Sequence, residues 1–274
     1  MLPPKLAIAV TFHYVEARLQ YLNIISDHFS SLADEVKVVI VTNTSDEDEL
    51  QRIHDTVGGK GFEYSFFTPY GLGHPYLLAW SHLYVFRRWF DDQSISHFMY
   101  LEDDILLTKA NIEYWTAARE VLRQYNVVPS FLRVEKKDGD DRWYSSDCLK
   151  AHDINELPRI NFQSQRMFVN LPRLYQGMYL LDRPLMAEHL AGPTSIPEHS
   201  PWGIREKAAA GITFCNVQKG MYSRNFIPFV VHTQKIDTVC FIHHTPNNYA
   251  NDPNQETELG KMLADDVLYI KGIQ

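Results

Sequence analysis

Four short apolar runs, each followed by a helical pattern, fill the first 125 or so residues and leave few folds open to this chain. The runs are residues 6–12, 36–41, 62–68 and 97–101, rich in Val, Ile and Phe and almost without charge. The runs 6–12 and 36–41 mark strands buried on both faces of a parallel sheet, and 62–68 and 97–101 mark two further strands. Between them, Leu19, Leu22, Ile25 and Phe29 recur at helical spacing within residues 16–32. Asp46-Glu47-Asp48-Glu49 places acids where a helix start favours them. A further helix runs from about residue 75 to 90, with Trp80, Leu83, Phe86 and Phe90 as a stripe facing the core and Arg87-Arg88 in solvent. Strands alternating with helices imply right-handed βαβ crossovers, so the fold class is α/β with a mixed, mostly parallel, Rossmann-type sheet flanked by helices.

The second half reads differently. Residues 131–135 and 142–144 flank the turn Lys137-Asp138-Gly139-Asp140, which predicts a hairpin. Residues 166–170 and 177–181 predict further strands, and 202–210 a compact helix stopped by Gly211. A helix is expected again over 256–268. With no linker, repeat or low-complexity tract, the expectation is one domain over 1–274, made of halves at about 1–125 and 126–274.

Composition removes several function classes. Twenty-six basic against 34 acidic residues give a formal charge of −8, and no basic run stands out, so nucleic acid is not an expected partner. The three cysteines, Cys148, Cys215 and Cys240, are odd in number and widely spaced, which argues for a reducing compartment and against a zinc site. The first ten residues are too short an apolar run for a signal segment or anchor, so no transmembrane segment is expected. No G-x-S-x-G hydrolase elbow is present.

The chemistry concentrates at Glu102-Asp103-Asp104, three consecutive acids directly after the apolar run 97–101. Ligands of open α/β sheets bind beside such carboxyl ends. Adjacent acids repel one another and are costly to desolvate without a cation. Hard oxygen donors suit Mn²⁺ or Mg²⁺, which keeps waters and bridges to substrate phosphates. The same residues also read as an exposed acidic turn. Gly71-Leu72-Gly73-His74-Pro75-Tyr76 opens the next helix, whose amides can face an anion; His74 and Tyr76 either approach a ligand there or merely cap the helix.

The segment 96–108, Ser-His-Phe-Met-Tyr-Leu-Glu-Asp-Asp-Ile-Leu-Leu-Thr, followed by Tyr114 and Trp115, resembles the DxD region of GT-A glycosyltransferases. It is similar to the "EDD" form of the N-acetylglucosaminyltransferase I group over about 20 residues. The resemblance implies a metal-dependent transferase moving a sugar from a nucleotide-sugar donor to a hydroxyl of a glycan or glycoconjugate acceptor, with inversion preferred. It implies Asp104 as metal ligand, with Glu102 and Asp103 facing the donor. It also places the nucleoside across the first strand ends, at Thr11, His13, Tyr14 and Asn43. Residues 1–125 then form the donor half and 126–274 the acceptor half.

In inverting relatives a carboxylate at a helix head takes the acceptor proton, which implies Glu198, or else Glu206, as general base. The family carries an acidic pair before its Trp, where this chain has Ser200-Pro201 before Trp202. A C-terminal His is a further metal ligand or diphosphate contact in several such enzymes, which implies His244 or His243, with His232 weaker. Without an anchor, the resemblance implies a cytoplasmic bacterial or viral enzyme, or a piece of a longer one. The rivals are a nucleotidyltransferase making sugar nucleotides, which would need a Gly-rich basic loop after the first strand, and a non-catalytic glycan-binding protein on the same fold.

Overall fold

A computed structural model describes residues 1–162, 165–197, 203–254 and 256–272. The chain forms two compact units that interleave along the sequence: residues 1–109 with 177–215, and residues 110–176 with 216–272.

The first unit is a three-layer α/β sheet. Its strands β1 (Lys5–Phe12), β2 (Glu35–Thr42), β3 (Glu63–Phe67) and β4 (His97–Glu102) run parallel, and Met178–Asp182 lies antiparallel on β4. The order is 178–182, β4, β1, β2, β3, so β1 is central. Val, Ile, Leu and Ala fill β1 and β2 because both faces are covered, and Leu6 to Val10 are fully buried. The chain leaves β1 toward β2 and β3, then returns to the other side of β1 as β4. The point where strand order reverses therefore lies between β1 and β4, which is where open α/β sheets bind ligands.

The helices follow the apolar spacing with local departures. Residues 16–32 form a 3₁₀ turn (Glu16–Arg18), helix α1 (Leu19–Ser26) and a second 3₁₀ turn (Phe29–Ser31). Asp46 caps α2 (Glu47–Val57) by accepting from the amides of Asp48 and Glu49 at 3.0 and 3.1 Å. The expected helix over 75–90 begins as a 3₁₀ segment (Pro75–Ser81) and becomes α only at α3 (His82–Trp89). Trp80, Leu83 and Phe86 of the apolar stripe are buried, as core residues.

One layer of this unit is unusually polar for a core. The His82 ring donates from Nδ1 to the Ala79 carbonyl at 2.5 Å, and its Nε2 accepts from the Tyr179 hydroxyl at 2.6 Å. Tyr179 stacks on Tyr100, with ring centroids 5.6 Å apart, and His189 meets its edge at 5.2 Å. Gly211, at φ +51°, lets the chain pass over this layer, since a Cβ there would lie 2.8 Å from the Tyr179 ring. Burial holds both imidazoles neutral, pushing His82 and His189 down to about 3.

In the second unit, α4 (Lys109–Leu122) packs through Ala118 and Leu122 onto Phe168 and Phe226. Those rings belong to a sheet ordered 159–162, 166–169, 225–230, 235–236, with 128–129 beside 225–230. The predicted hairpin is present as Leu132–Lys137 and Asp140–Ser145, in a sheet that also holds Phe241–His244 and Met262–Leu263. The helix expected over 256–268 does not form. The Asp252 carboxylate accepts from Thr257 N at 3.0 Å, Gly260 turns at φ +69° against Tyr249, and Met262 and Leu263 pair with Ser145 and Tyr144. Strand pairing overrides the helical spacing there.

The buried histidines set a pH dependence. Their folded values lie below the ordinary value, so between about 6.5 and 3 the unfolded chain binds the extra protons and stability falls as pH falls. Each histidine contributes about 1.4 kcal/mol per pH unit in that window. The melting temperature should drop steadily from pH 6.5 to 4.5, and His189→Leu should flatten the slope. A melting temperature that is level over this range would contradict the assignment.

Candidate active site

Asp103 and Asp104 form the turn that ends β4, a place where Asp is locally favoured. Register places Thr11 of β1 beside Glu102 of β4, so the first residues beyond β1 arrive next to this turn. The 3₁₀ turn after β1 then delivers Arg18. Its Nε donates to Asp103 Oδ2 at 2.7 Å, and one terminal nitrogen donates to Asp103 Oδ1 at 2.5 Å and to Asp104 Oδ2 at 2.9 Å. One guanidinium thus grips Asp103 with two nitrogens and reaches Asp104 as well.

Both acids are buried, while the Arg18 side chain keeps about a third of its surface exposed. Arg18 is held above its ordinary value, first by the hydrogen bonds to Asp103. Burial raises the Asp103 carboxyl, and the neighbouring Asp104 charge adds to that, while the Arg18 hydrogen bonds oppose it. Arg18 was not singled out by sequence reasoning, which took residues 16–32 only as an amphipathic stretch. The register of β1 against β4 is the signal that finds it, and register comes from structure.

Beneath the turn sits a wall of hydroxyls. Tyr100 and Glu102 are two residues apart on β4 and so share a face, with Thr11 beside Glu102. The enclosed hydroxyls of Tyr100 and Thr11 neighbour each other and reach no other partner among the described residues. Burial pushes Tyr100 well above the usual tyrosine range, and the charges of Glu102 and Asp103 add to this, while Arg205 acts in the opposite sense. Gly177, at φ +66°, accepts through its carbonyl from Glu102 N at 3.0 Å. A Cβ at Gly177 would stand 2.9 Å from Ile105 Cγ1 and 3.0 Å from Glu102 Oε2.

The other expected donor contacts lie along the same carboxyl edge. Asn43 Oδ1 accepts from the Tyr14 amide at 2.6 Å, tying the tails of β1 and β2 together, and His13 is exposed beside them. His74 caps the Pro75–Ser81 segment, its Nδ1 accepting from Tyr76 N at 3.1 Å, and Tyr76 is half exposed. Glu206 lies on a short helix, Ile204–Ala208, that is fastened by the Trp80 indole donating to Ile204 O at 2.7 Å. Its carboxylate folds back to within 2.5 Å of where a Gly203 Cβ would be, and it pairs with Arg205 at 3.3 Å. Glu198 and Trp202 lie outside the described residues.

His243 and His244 belong to the second unit and have partners within it. The Glu135 carboxylate meets His244 Nδ1 at 2.5 Å and accepts from Ala250 N at 2.6 Å, and the His244 ring stacks on Tyr249. His243 Nε2 donates to Asn247 Oδ1 at 2.8 Å. Among the described residues no group of three His, Cys, Asp or Glu side chains could by itself hold a metal. The carboxylates of Asp103 and Asp104 still fit a divalent cation of the kind that takes one or two protein oxygens and completes its shell with water and substrate phosphate. Their hard oxygen donors already hold one positive group, the Arg18 guanidinium. No helix among the described residues is long and apolar enough to cross a membrane.

No family model and no curated protein matches the chain. Among solved structures, S. aureus TarS 1–349 is similar at 14% identity over 76% of this chain and 56% of that one, with a TM-score of 0.39. The TarS 1–349 complex with UDP-GlcNAc gives 15% identity, 67% and 47% coverage, and a TM-score of 0.35. TarS itself gives 14% identity, 76% and 34% coverage, and 0.38. The chain thus spans about half of TarS 1–349, and its α/β architecture is established by its own strand order.

The close seat of Gly177 yields a direct test. Gly177→Ala combines a left-handed backbone with a Cβ pressed on Ile105 and Glu102, and should cost about 2–4 kcal/mol. Urea denaturation reads this as a lower midpoint, and an unchanged midpoint would remove Gly177 from the packing of the site.

Proposed function

We propose that the chain is a GT-A-type glycosyltransferase that moves a sugar from a nucleotide-sugar donor to a hydroxyl of a glycan or glycoconjugate. The observation that carries this reading is the Asp103–Asp104 turn at the carboxyl end of β4, beside β1, at the point where strand order reverses. The sequence likeness around the triplet supports the same reading. Thr11, His13, Tyr14 and Asn43 line the adjoining strand ends and would receive the nucleoside, with His74 and Tyr76 on the loop beyond β3.

In this reading Asp104 is the residue that holds Mn²⁺ or Mg²⁺, together with donor phosphate oxygens, and Glu102 and Asp103 orient the donor. A divalent cation in that position would offset the charge that develops on the departing nucleoside diphosphate. The partly exposed guanidinium of Arg18 suits phosphate as well as it suits carboxylate. Glu198, or else Glu206, would take the proton from the acceptor hydroxyl in an inverting displacement.

Calorimetry with UDP, GDP and dTDP, with and without Mn²⁺, tests the reading first. Metal-dependent binding of one of them is expected, and absence of binding by all three would sink it. With the matching nucleotide sugar, Asp104→Ala should abolish metal-dependent turnover while the fold is retained. Glu198→Gln should lower kcat by about 10²- to 10⁴-fold if it is the base, and proton NMR of the product anomer should report inversion. A loss confined to Glu206→Gln would move the base there.

A further inference from the structure

The site already contains a cation, and its geometry suggests what that cation controls. Arg18 donates three hydrogen bonds to the two acids that the reaction would use, and its fork occupies both oxygens of Asp103 and one oxygen of Asp104. A divalent cation approaching Asp104 therefore meets a carboxylate already engaged by a positive group at 2.9 Å. Within this group the guanidinium offsets one of the two aspartate charges, which weakens the attraction for a strongly hydrated cation.

We propose that Arg18 is a latch on the acidic pair: it keeps the divalent cation out until a nucleoside diphosphate arrives and draws the guanidinium away from Asp104. The inference rests on the transferase reading for the identity of the incoming ligand. An entering diphosphate brings about two negative charges, and guanidinium matches phosphate oxygens in the same two-pronged way that it matches carboxylate. Arg18 can then turn toward phosphate without losing its hydrogen bonds. Asp104 loses its ion pair with Arg18 in the same event, and the added negative charge now favours the metal. Nucleotide therefore raises the affinity for the metal. Arg18 acts here as a positioning residue, through the state of Asp104.

The test measures binding of Mn²⁺ alone, by electron paramagnetic resonance of the free ion, to the wild-type chain, Arg18→Gln and Arg18→Lys. Wild type should bind Mn²⁺ weakly, Arg18→Gln at least about tenfold more tightly, and Arg18→Lys in between, because a lysine point charge spans only one carboxylate. Thermal melting checks that each variant is folded. Should Arg18→Gln fail to fold, Arg18→Lys decides. Binding no tighter than wild type, in whichever variant folds, overturns the latch. A parallel titration of wild type adds UDP, GDP or dTDP at fixed Mn²⁺. Nucleotide should raise Mn²⁺ affinity, and a failure of all three to do so would count against the transferase reading, while the variant series still decides the latch.

Discussion

Two adjacent carboxylates buried at a strand end are the constraint around which the first unit is arranged. Asp103 and Asp104 each retain less than a tenth of their surface, and neither can be left uncompensated at that depth. The chain meets this need with Arg18, which lies 85 residues earlier in sequence but only one turn beyond the neighbouring strand. Central placement of β1 is what makes the pairing possible. Had β1 stood at the sheet edge away from β4, the guanidinium could not have reached the turn.

Behind the ion pair, the polar core layer explains why this region tolerates so little change of shape. Tyr179 hydrogen-bonds His82, both rings pack on Tyr100, and a Cβ at Gly211 would press on the Tyr179 ring. Neutral histidines are preferred there because a charged imidazole would have to be desolvated without a counter-ion. Strand 178–182 also pairs with β4, and the Gly177 carbonyl just before it accepts from the Glu102 amide.

Much of this unit was legible in the sequence because its signals are local. The apolar runs at β1, β2 and β4 could only be buried strands, and Asp46 announces its helix by chemistry that acts within three residues. The acidic triplet was conspicuous for the same reason. What could not be read were relations between distant segments. Arg18 looks like one cation on an amphipathic stretch until register sets β1 against β4. The tail over 256–268 has helical spacing, yet Met262 and Leu263 find strand partners 117 and 119 positions back, which no local pattern encodes. His243 and His244 looked like a ligand pair, whereas Glu135 and Asn247 bond to them from elsewhere in the second unit.

The choice of arginine at position 18 follows from the shape of the charge it must meet. A lysine would supply the same unit charge but as a single point, satisfying one carboxylate and leaving its neighbour to repel it. The planar fork instead gives two parallel bonds to Asp103 and one to Asp104, so a single residue stabilises both acids and fixes their spacing. That economy leaves the pair one positive charge short of neutral. A fully neutral site would have no pull on a cation, and an uncompensated one would bind metal, or protonate, in the absence of substrate. One residual charge lies between these extremes, so the acidic turn stays folded and ionised at rest while remaining responsive to a further negative group arriving beside it.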